Sequence, residues 1–342
     1  MMTFLYFIPN SWLPLLESAF YALIFPGFVA ILLLAFFIIW FERKAAARVQ
    51  MRYGPLWVSK RTGGIIQLLA DMIRFSFQEF IIPQGADFIP FVFLPGLLLA
   101  FSVLPTVFIP IGPDYSHIFP SNYSLLLAVA FTLVIPVYLV ALGWAADNKF
   151  SFIGALREAY LLVSYEVPFI LAVASAFLLY GSLDLVKIVG IQEGTLPGII
   201  LNPLAAIVYI IAVIRATGRV PYDIVEADSE LVFGPYTEYS SLMFGFVMGV
   251  PYIELYSYSL LFSVLFLSGW APVTGIGFLG GLILPGIVTF VKSVIVMCFL
   301  VFLRAVYPRY KLDKAVRAGW SWVFYLALAA LLLSAVVSRV LW

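Results

Sequence analysis

Apolar runs close to the length of a bilayer crossing recur along this chain, and no other feature limits its fold so tightly. Eight can be read: Phe20–Phe41, Phe88–Ile111, Tyr123–Trp144, Tyr160–Gly181, Ile199–Ile214, Tyr239–Leu267, Gly277–Leu303 and Gly319–Leu341. A hydrocarbon core about 30 Å thick takes about 20 apolar residues per spanning helix. Composition agrees: 64% of the 342 residues are hydrophobic and 11% charged, against about half and about a quarter in soluble domains. Lipid is therefore the solvent. The fold class is an all-α integral membrane protein of about eight transmembrane helices, in a single transmembrane domain over residues 1–342. Pro105 and Pro136 fall inside spans, where neighbouring helices can satisfy the freed carbonyls, and the long sixth run is expected to tilt or break at Pro251.

The charges are sorted by loop. Arg43, Lys44, Arg48, Arg52, Lys60, Arg61 and Arg74 lie in the first loop, Lys149 and Arg157 in the third, and Arg215 and Arg219 in the fifth. Arg304, Arg309, Lys311, Lys314 and Arg317 lie in the seventh, whereas the even loops and both ends hold only Lys187 and Arg339. The positive-inside rule then puts the odd loops in the cytoplasm and both termini outside. An added or missed span would scramble this alternation. Asp and Glu do not set topology, yet Glu42, Asp71, Glu79, Asp147, Glu158 and the acids from Asp223 to Glu238 share the same side.

Several function classes fall away. A net charge of +1 gives no bulk attraction to nucleic acid. One cysteine (Cys298) and one histidine (His117) cannot build an iron–sulfur cluster, a zinc site or a bis-His haem. Cys298, in an apolar run, reads as packing, and His117 as a surface residue in a short loop. The N-terminal stretch lacks the basic flank of a cleaved signal peptide. No internal repeat or nucleotide-binding motif is present.

Three segments carry chemistry. In the first loop, residues 42–87, the stretch Gly63–Phe80 reads as an amphipathic helix on the cytoplasmic side. Asp71 and Arg74 lie on its polar face. Within spans, Glu166, Glu254 and Lys292 are each costly in lipid and should face protein or water. A pairing of Glu166 with Lys292 would offset both costs. In the acidic loop, residues 215–238, five carboxylates fall within sixteen residues: Asp223, Glu226, Asp228, Glu230 and Glu238. As a helix the segment would put Asp223, Glu226 and Glu230 on one face. A coupled acidic cluster of this kind suits proton exchange. A merely solvated loop would not need Pro221, Tyr222, Phe233, Pro235 and Tyr236 interleaved.

These residues resemble a known family. Glu42-Arg43-Lys44, Arg52-Tyr53-Gly54-Pro55 and Leu69-Ala70-Asp71-Met72-Ile73-Arg74 are similar to the first cytoplasmic loop of the H-subunit family of NADH–quinone oxidoreductase (complex I). Further motifs come in order: Gly143 to Ser151, Ser164-Tyr165-Glu166-Val167, the loop from Pro221 to Tyr239, and Arg304 to Asp313, with Lys292 twelve residues before Arg304. The resemblance covers about Glu42 to Trp320. It implies a subunit with no redox centre of its own, holding the tunnel through which quinone, a substrate, passes from the bilayer. The iron–sulfur clusters would sit in partner subunits of a soluble arm, and antiporter-like and small membrane subunits would complete the assembly. Carried over by motif, Arg43, Arg52 and Arg304 would line or brace the quinone path. Glu166, Asp223, Glu226, Asp228, Glu230, Glu238 and Lys292 would form the proton route, and Asp71, Arg74 and Arg309 the partner interface.

The chain departs from the family at three places. Pro251-Tyr252 stand where Glu-Tyr is usual, with Glu254 one helical turn on. Asp228 replaces a usual Glu, and Pro235 follows Gly234 where a tyrosine is expected. These changes suggest a divergent branch, and related subunits occur in membrane-bound hydrogenases and sulfur-reducing ion pumps, which need no quinone. A third reading, a free-standing transporter or channel with an acidic gate, is disfavoured by cytoplasmic loops too ordered in pattern for connectors. Co-purifying subunits separate the first two readings; transport by the lone protein in liposomes would select the third.

Overall fold

The computed structural model describes residues 23–25, 27–113, 121–273 and 284–341. His117 lies outside them. The described residues form helices and connecting turns, with no strand among them. The main helices are α1 (Phe28–Val49), α2 (Gln67–Phe77), α3 (Phe88–Phe108), α4 (Ser124–Ala145), α5 (Lys149–Tyr180), α6 (Leu185–Gly194) and α7 (Pro203–Ala216). After the acidic loop come α8 (Ser241–Phe266), α9 (Leu284–Arg304), α10 (Leu312–Ala318) and α11 (Phe324–Leu341). A π-helical turn over Gly319–Val323 joins α10 to α11.

Six stretches among the described residues are long and apolar enough to cross a membrane: α3, α4, α5, α8, α9 and the continuous Leu312–Val340. The first expected run falls partly outside the described residues, and its remainder is the apolar part of α1, which continues past Phe41 into Glu42-Arg43-Lys44. The fifth is shorter than expected. Asn202 interrupts it, separating the single turn Gly198–Leu201 from α7. The Asn202 amide accepts from Ala205 N–H and donates to the Ala330 carbonyl and to Ser334 Oγ, capping α7 against α11. At 1.5 Å per residue, the 14 residues of α7 reach about 21 Å, less than the hydrocarbon core. Protein surrounds much of it: Ala205, Val208, Tyr209, Ala212 and Val213 are buried, against α5 and α11 among others.

Other boundaries reflect local chemistry. The helix α5 begins eleven residues before the expected Tyr160, because the Asn148 side chain caps the Phe150 N–H at 2.8 Å, and it ends at Gly181 with φ +65°. The amphipathic helix is confined to α2. Gly64, at φ +85°, would bring a Cβ within 2.1 Å of the Pro55 carbonyl, so the chain turns there rather than winding. Most of the apolar face of α2 is open: Leu69, Met72, Ile73 and Phe77 are exposed, while Phe75 packs on Phe244 of α8. The helix α8 runs through Pro251 without a break.

The acidic loop is not a surface loop. Pro221, Tyr222, Ile224, Val225, Ala227, Leu231, Gly234, Pro235, Tyr236 and Tyr239 are all buried. Its backbone is satisfied by short turns, among them Tyr222 N–H to Arg219 O and Leu231 N–H to Ala227 O. A 3₁₀ turn over Gly234–Tyr236 wedges between α4 and α5. Gly143 and Gly154 make the room, since a Cβ on Gly154 would meet Pro235 Cδ at 2.7 Å.

Candidate functional site

The site grows from one end of the bundle, where charged residues enter on the buried faces of helices. On α1 the buried positions run Ile31, Leu34, Ile38 and Glu42, a single stripe at helical spacing. The apolar seam thus delivers the Glu42 carboxylate into protein. Its two oxygens are shared between Arg304, at the end of α9, and Arg219, which lies just beyond α7. Arg219 also lies over the Tyr252 ring, 5.1 Å from its centroid. Burial pulls the Arg219 guanidinium below its ordinary range, and Tyr252 and Glu226 oppose that shift.

A second buried pair lies within the bundle. Arg215 Nη2 donates to Glu158 Oε1 at 2.6 Å and to the Glu158 carbonyl at 3.2 Å. Among the described residues Arg215 pairs with Glu158 alone, and its charge also acts on Glu166 and Glu254 without contact.

Nearer the surface, other pairs pin the acidic loop. Arg157 meets Glu230 at 2.6 Å and the Ile224 carbonyl at 3.2 Å. Arg309 meets Asp223 at 2.7 Å, and Tyr310 N–H donates to the Pro221 carbonyl at 2.9 Å. Tyr222 packs between Tyr165 and Tyr310 at 4.9 and 5.7 Å, and Tyr165 donates to the Ala315 carbonyl. Burial raises the Tyr222 phenol. Glu238 accepts from the Asn148 amide, tying the end of the loop to the start of α5.

These elements enclose a cavity lined by Glu158, Asp223, Glu226 and Glu254, with the phenols Tyr222 and Tyr236 and the walls Leu139 and Pro251. Its volume, measured to the centre of a water-sized sphere, is about 20 Å³. That suffices for a water and is far below what a quinone ring fills. Burial and the nearby Glu226 push the Tyr236 phenol well above its ordinary range. Carboxylates and phenols thus line a space that admits water, a setting suited to proton exchange.

The expected site residues thus fall into separate groups. Asp223 and Glu226 line the cavity, but Asp223, Glu226 and Glu230 do not share a helical face. The loop turns at each step, and only Asp228–Leu231 makes a single helical turn. The side chain of Asp228 lies outside the described residues. Glu166 sits eight residues, about two helical turns, beyond Glu158 on α5 and keeps a buried Oε1 without a hydrogen-bond partner among the described residues. Lys292 does not pair with Glu166; its ammonium bonds three backbone carbonyls at the far end of α8. Arg43 pairs with Asp71 at 3.1 Å, Arg74 lies 4.8 Å over the Phe75 ring, and Arg52 donates to Gln50 at 2.7 Å. No group of three His, Cys, Asp or Glu side chains is arranged for a metal among the described residues.

Four side chains here were not singled out as site residues from sequence: Glu42, Glu158, Arg215 and Arg219. Each sits at the junction of an apolar run and a charged loop, where a charge looks ordinary. For Glu42 a signal existed, because it continues the Ile31, Leu34, Ile38 stripe. Glu254 was legible as an intramembrane acid, but only the fold puts it in the cavity.

With this geometry in view, comparison with known proteins is direct. A family model described as NADH dehydrogenase matches residues 22–335. An H subunit of NADH-quinone oxidoreductase from Dehalococcoides mccartyi (strain CBDB1) is 34% identical, covering 95% of this chain and 87% of the relative. Its counterpart from Geobacillus sp. (strain WCH70) is 36% identical, covering 87% of each. Among solved structures, a chain of the membrane-bound sulfane sulfur reductase, an archaeal respiratory membrane complex, is similar with a TM-score of 0.76 at 27% identity. That likeness covers 90% of this chain and 96% of the other.

Proposed function

This chain belongs to the NADH dehydrogenase family, whose relatives at 34–36% identity are H subunits of NADH-quinone oxidoreductase, and from that premise we propose that it carries the proton-conducting link between quinone reduction and ion movement. The observation that carries this reading is the cavity where Glu158, Asp223, Glu226 and Glu254 converge with two phenols. Reduction of a quinone takes up two electrons and two protons. One cysteine and one histidine do not fit a cluster's donor set, so the electrons come from iron–sulfur clusters in partner subunits of a soluble arm. This chain's part is to hold and move protons. Glu226 and Asp223 stand at the loop side of the cavity, and Glu158 and Glu254 at the bundle side. Arg215, bonded to Glu158, biases the charge of the bundle-side acids, and Glu166 extends them along α5. Glu254 takes the place of the acid missing at Pro251.

The quinone path lies outside this small cavity, along the surface formed by residues 42–87. The open apolar face of α2 and the exposed Tyr53 and Trp57 support a portal at the membrane surface. Arg43 and Arg52 stand on that surface, and Arg304, through Glu42, braces it against the acidic loop. Asp71, Arg74 and Arg309 face the partner interface, and antiporter-like and small membrane subunits take up the far side.

The test uses the whole complex. Glu254→Gln and Glu226→Gln should each lower ion movement per electron pair by roughly tenfold or more while the assembly purifies intact. Wild-type coupling in both would sink the proposal. A second reading is the equivalent subunit of a sulfur-reducing pump, which the likeness to the sulfane sulfur reductase favours. Co-purified soluble subunits and the acceptor they reduce decide between the two.

A further inference from the structure

The helix α8 ends at Phe266, and Lys292 reaches the turn beyond that end from the middle of α9. That lysine lies eight residues from the start of α9 and twelve from its end, about 12 and 18 Å along the axis. A helix end at such depth leaves up to four carbonyls without intrahelical donors, in surroundings where water does not serve them. Two side chains answer this here. The Gln192 amide, from α6, donates to the Val264 and Leu265 carbonyls at 3.0 and 3.1 Å. Lys292 Nζ donates to the Leu267, Gly269 and Ala271 carbonyls at 2.8, 2.8 and 2.7 Å.

The turn is shaped for this. Ser268 and Gly269 both have positive φ, +58° and +45°, and the Leu267 and Gly269 N–H groups both turn back onto the Ser263 carbonyl. Alternate carbonyls at 267, 269 and 271 then converge on one point. An ammonium has three N–H donors and no acceptor, and all three are engaged. The helix C-terminus also favours a cation.

We propose that the Leu267–Ala271 turn is a carbonyl cage for a primary ammonium, with Lys292 as its built-in occupant, and that Lys292 is a positioning residue that fixes α8 against α9 rather than a station on a proton route. A relay group must exchange its proton with a neighbour, and here each proton is committed to a carbonyl. What the anchor positions is α8, whose Glu254 lies thirteen residues, about 20 Å, away from the cage. The proposal stands independently of the acidic cavity's role, because Lys292 does not line that cavity.

The experiment compares Lys292→Ala, Lys292→Arg and Lys292→Met in the whole complex, by melting temperature and by the pH profile of turnover. The anchor predicts that Ala and Met lower melting by more than about 5 °C and lower turnover at all pH values alike. Arg, which keeps charge and donors but does not release its proton, should retain at least half of wild-type turnover. Propylammonium added to Lys292→Ala should restore melting and turnover together; tetramethylammonium, with no N–H, should restore neither. Failure of Lys292→Ala and Lys292→Met to assemble while Lys292→Arg assembles would also support the anchor, and failure of all three would overturn the cage, since Arg keeps charge and donors. The proposal falls if Lys292→Arg melts like wild type but does not turn over, or if Lys292→Met assembles where Arg does not. It also falls if Lys292→Ala shifts only the pH profile, or if rescue tracks the basicity of the added amine rather than its N–H groups.

Discussion

At the scale of single residues, burial decides what a charge is worth. Glu42 and Arg219 have side chains only 6% and 4% exposed, and Glu42 also serves Arg304. Removing one partner of such a cluster leaves an uncompensated charge in protein, which costs about 3–5 kcal/mol. Glu42→Gln should therefore lower the melting temperature of the complex clearly. Arg43→Gln, which breaks the more exposed pair with Asp71, should change stability by less than about 1 kcal/mol. Thermal denaturation of the two variants side by side checks this; equal effects would mean that the Glu42 cluster is not the joint between α1, α9 and the acidic loop. Both residues belong to the Glu42-Arg43-Lys44 motif legible in the sequence. Which of the two is buried was legible only through the stripe that Glu42 shares with Ile38.

At the scale of elements, the acidic loop behaves as an inserted plug. Its 3₁₀ turn Gly234–Tyr236 sits where Gly143 and Gly154 bare the backbones of α4 and α5. A methyl on Gly154 would lie 2.7 Å from Pro235 Cδ and 3.0 Å from the Gly234 Cα, so the plug must shift outward. Gly154→Ala should cost about 1–3 kcal/mol and loosen Tyr236 from the cavity, seen as faster proteolysis of the loop. Gly96→Ala, on α3, meets nothing within 4 Å and should be neutral or slightly stabilising, since Ala favours helix by about 1 kcal/mol. Similar losses in both variants would count against the plug. The sequence marked this loop as more than a connector through its interleaved Pro and Tyr. The alternative to a surface loop was nevertheless not the expected acidic helix but a series of turns. Pro221 and Gly218 prevent a continuous helix at the start, and Val232, at φ +62°, ends the single turn that does form.

At the scale of the whole molecule, the basic residues fall on alternate loops of the chain, and the site is built from residues of those loops and the helix ends beside them. By the positive-inside rule those loops are expected on the cytoplasmic side. With Cys298 replaced by Ala, a cysteine at the exposed Lys60 should react with an impermeant thiol reagent only in inverted vesicles. One at Lys187, exposed at 61% of its side chain, should react only in right-side-out vesicles. Reversed labelling would invert the orientation and put the acidic loop outside.

The sequence alone determined the solvent of this protein and its helical class, because lipid imposes these on each segment separately, and its ordered motifs marked its family. An apolar run must satisfy its own backbone wherever it packs, and a basic loop is sorted by its own charge. Tertiary structure decided the partner of each charge. Lys292 and Glu166 looked like a pair on separate spans, yet one caps a turn of α8 and the other lies near Arg215. Asp223 and Glu230 looked like neighbours on one face, yet Arg309 and Arg157 hold them apart. Glu254 reads from sequence as an intramembrane acid facing protein or water, and only the fold puts it in the cavity. Partners more than twenty residues away in the chain depend on how helices cross and where loops insert, and local spacing carries no record of either.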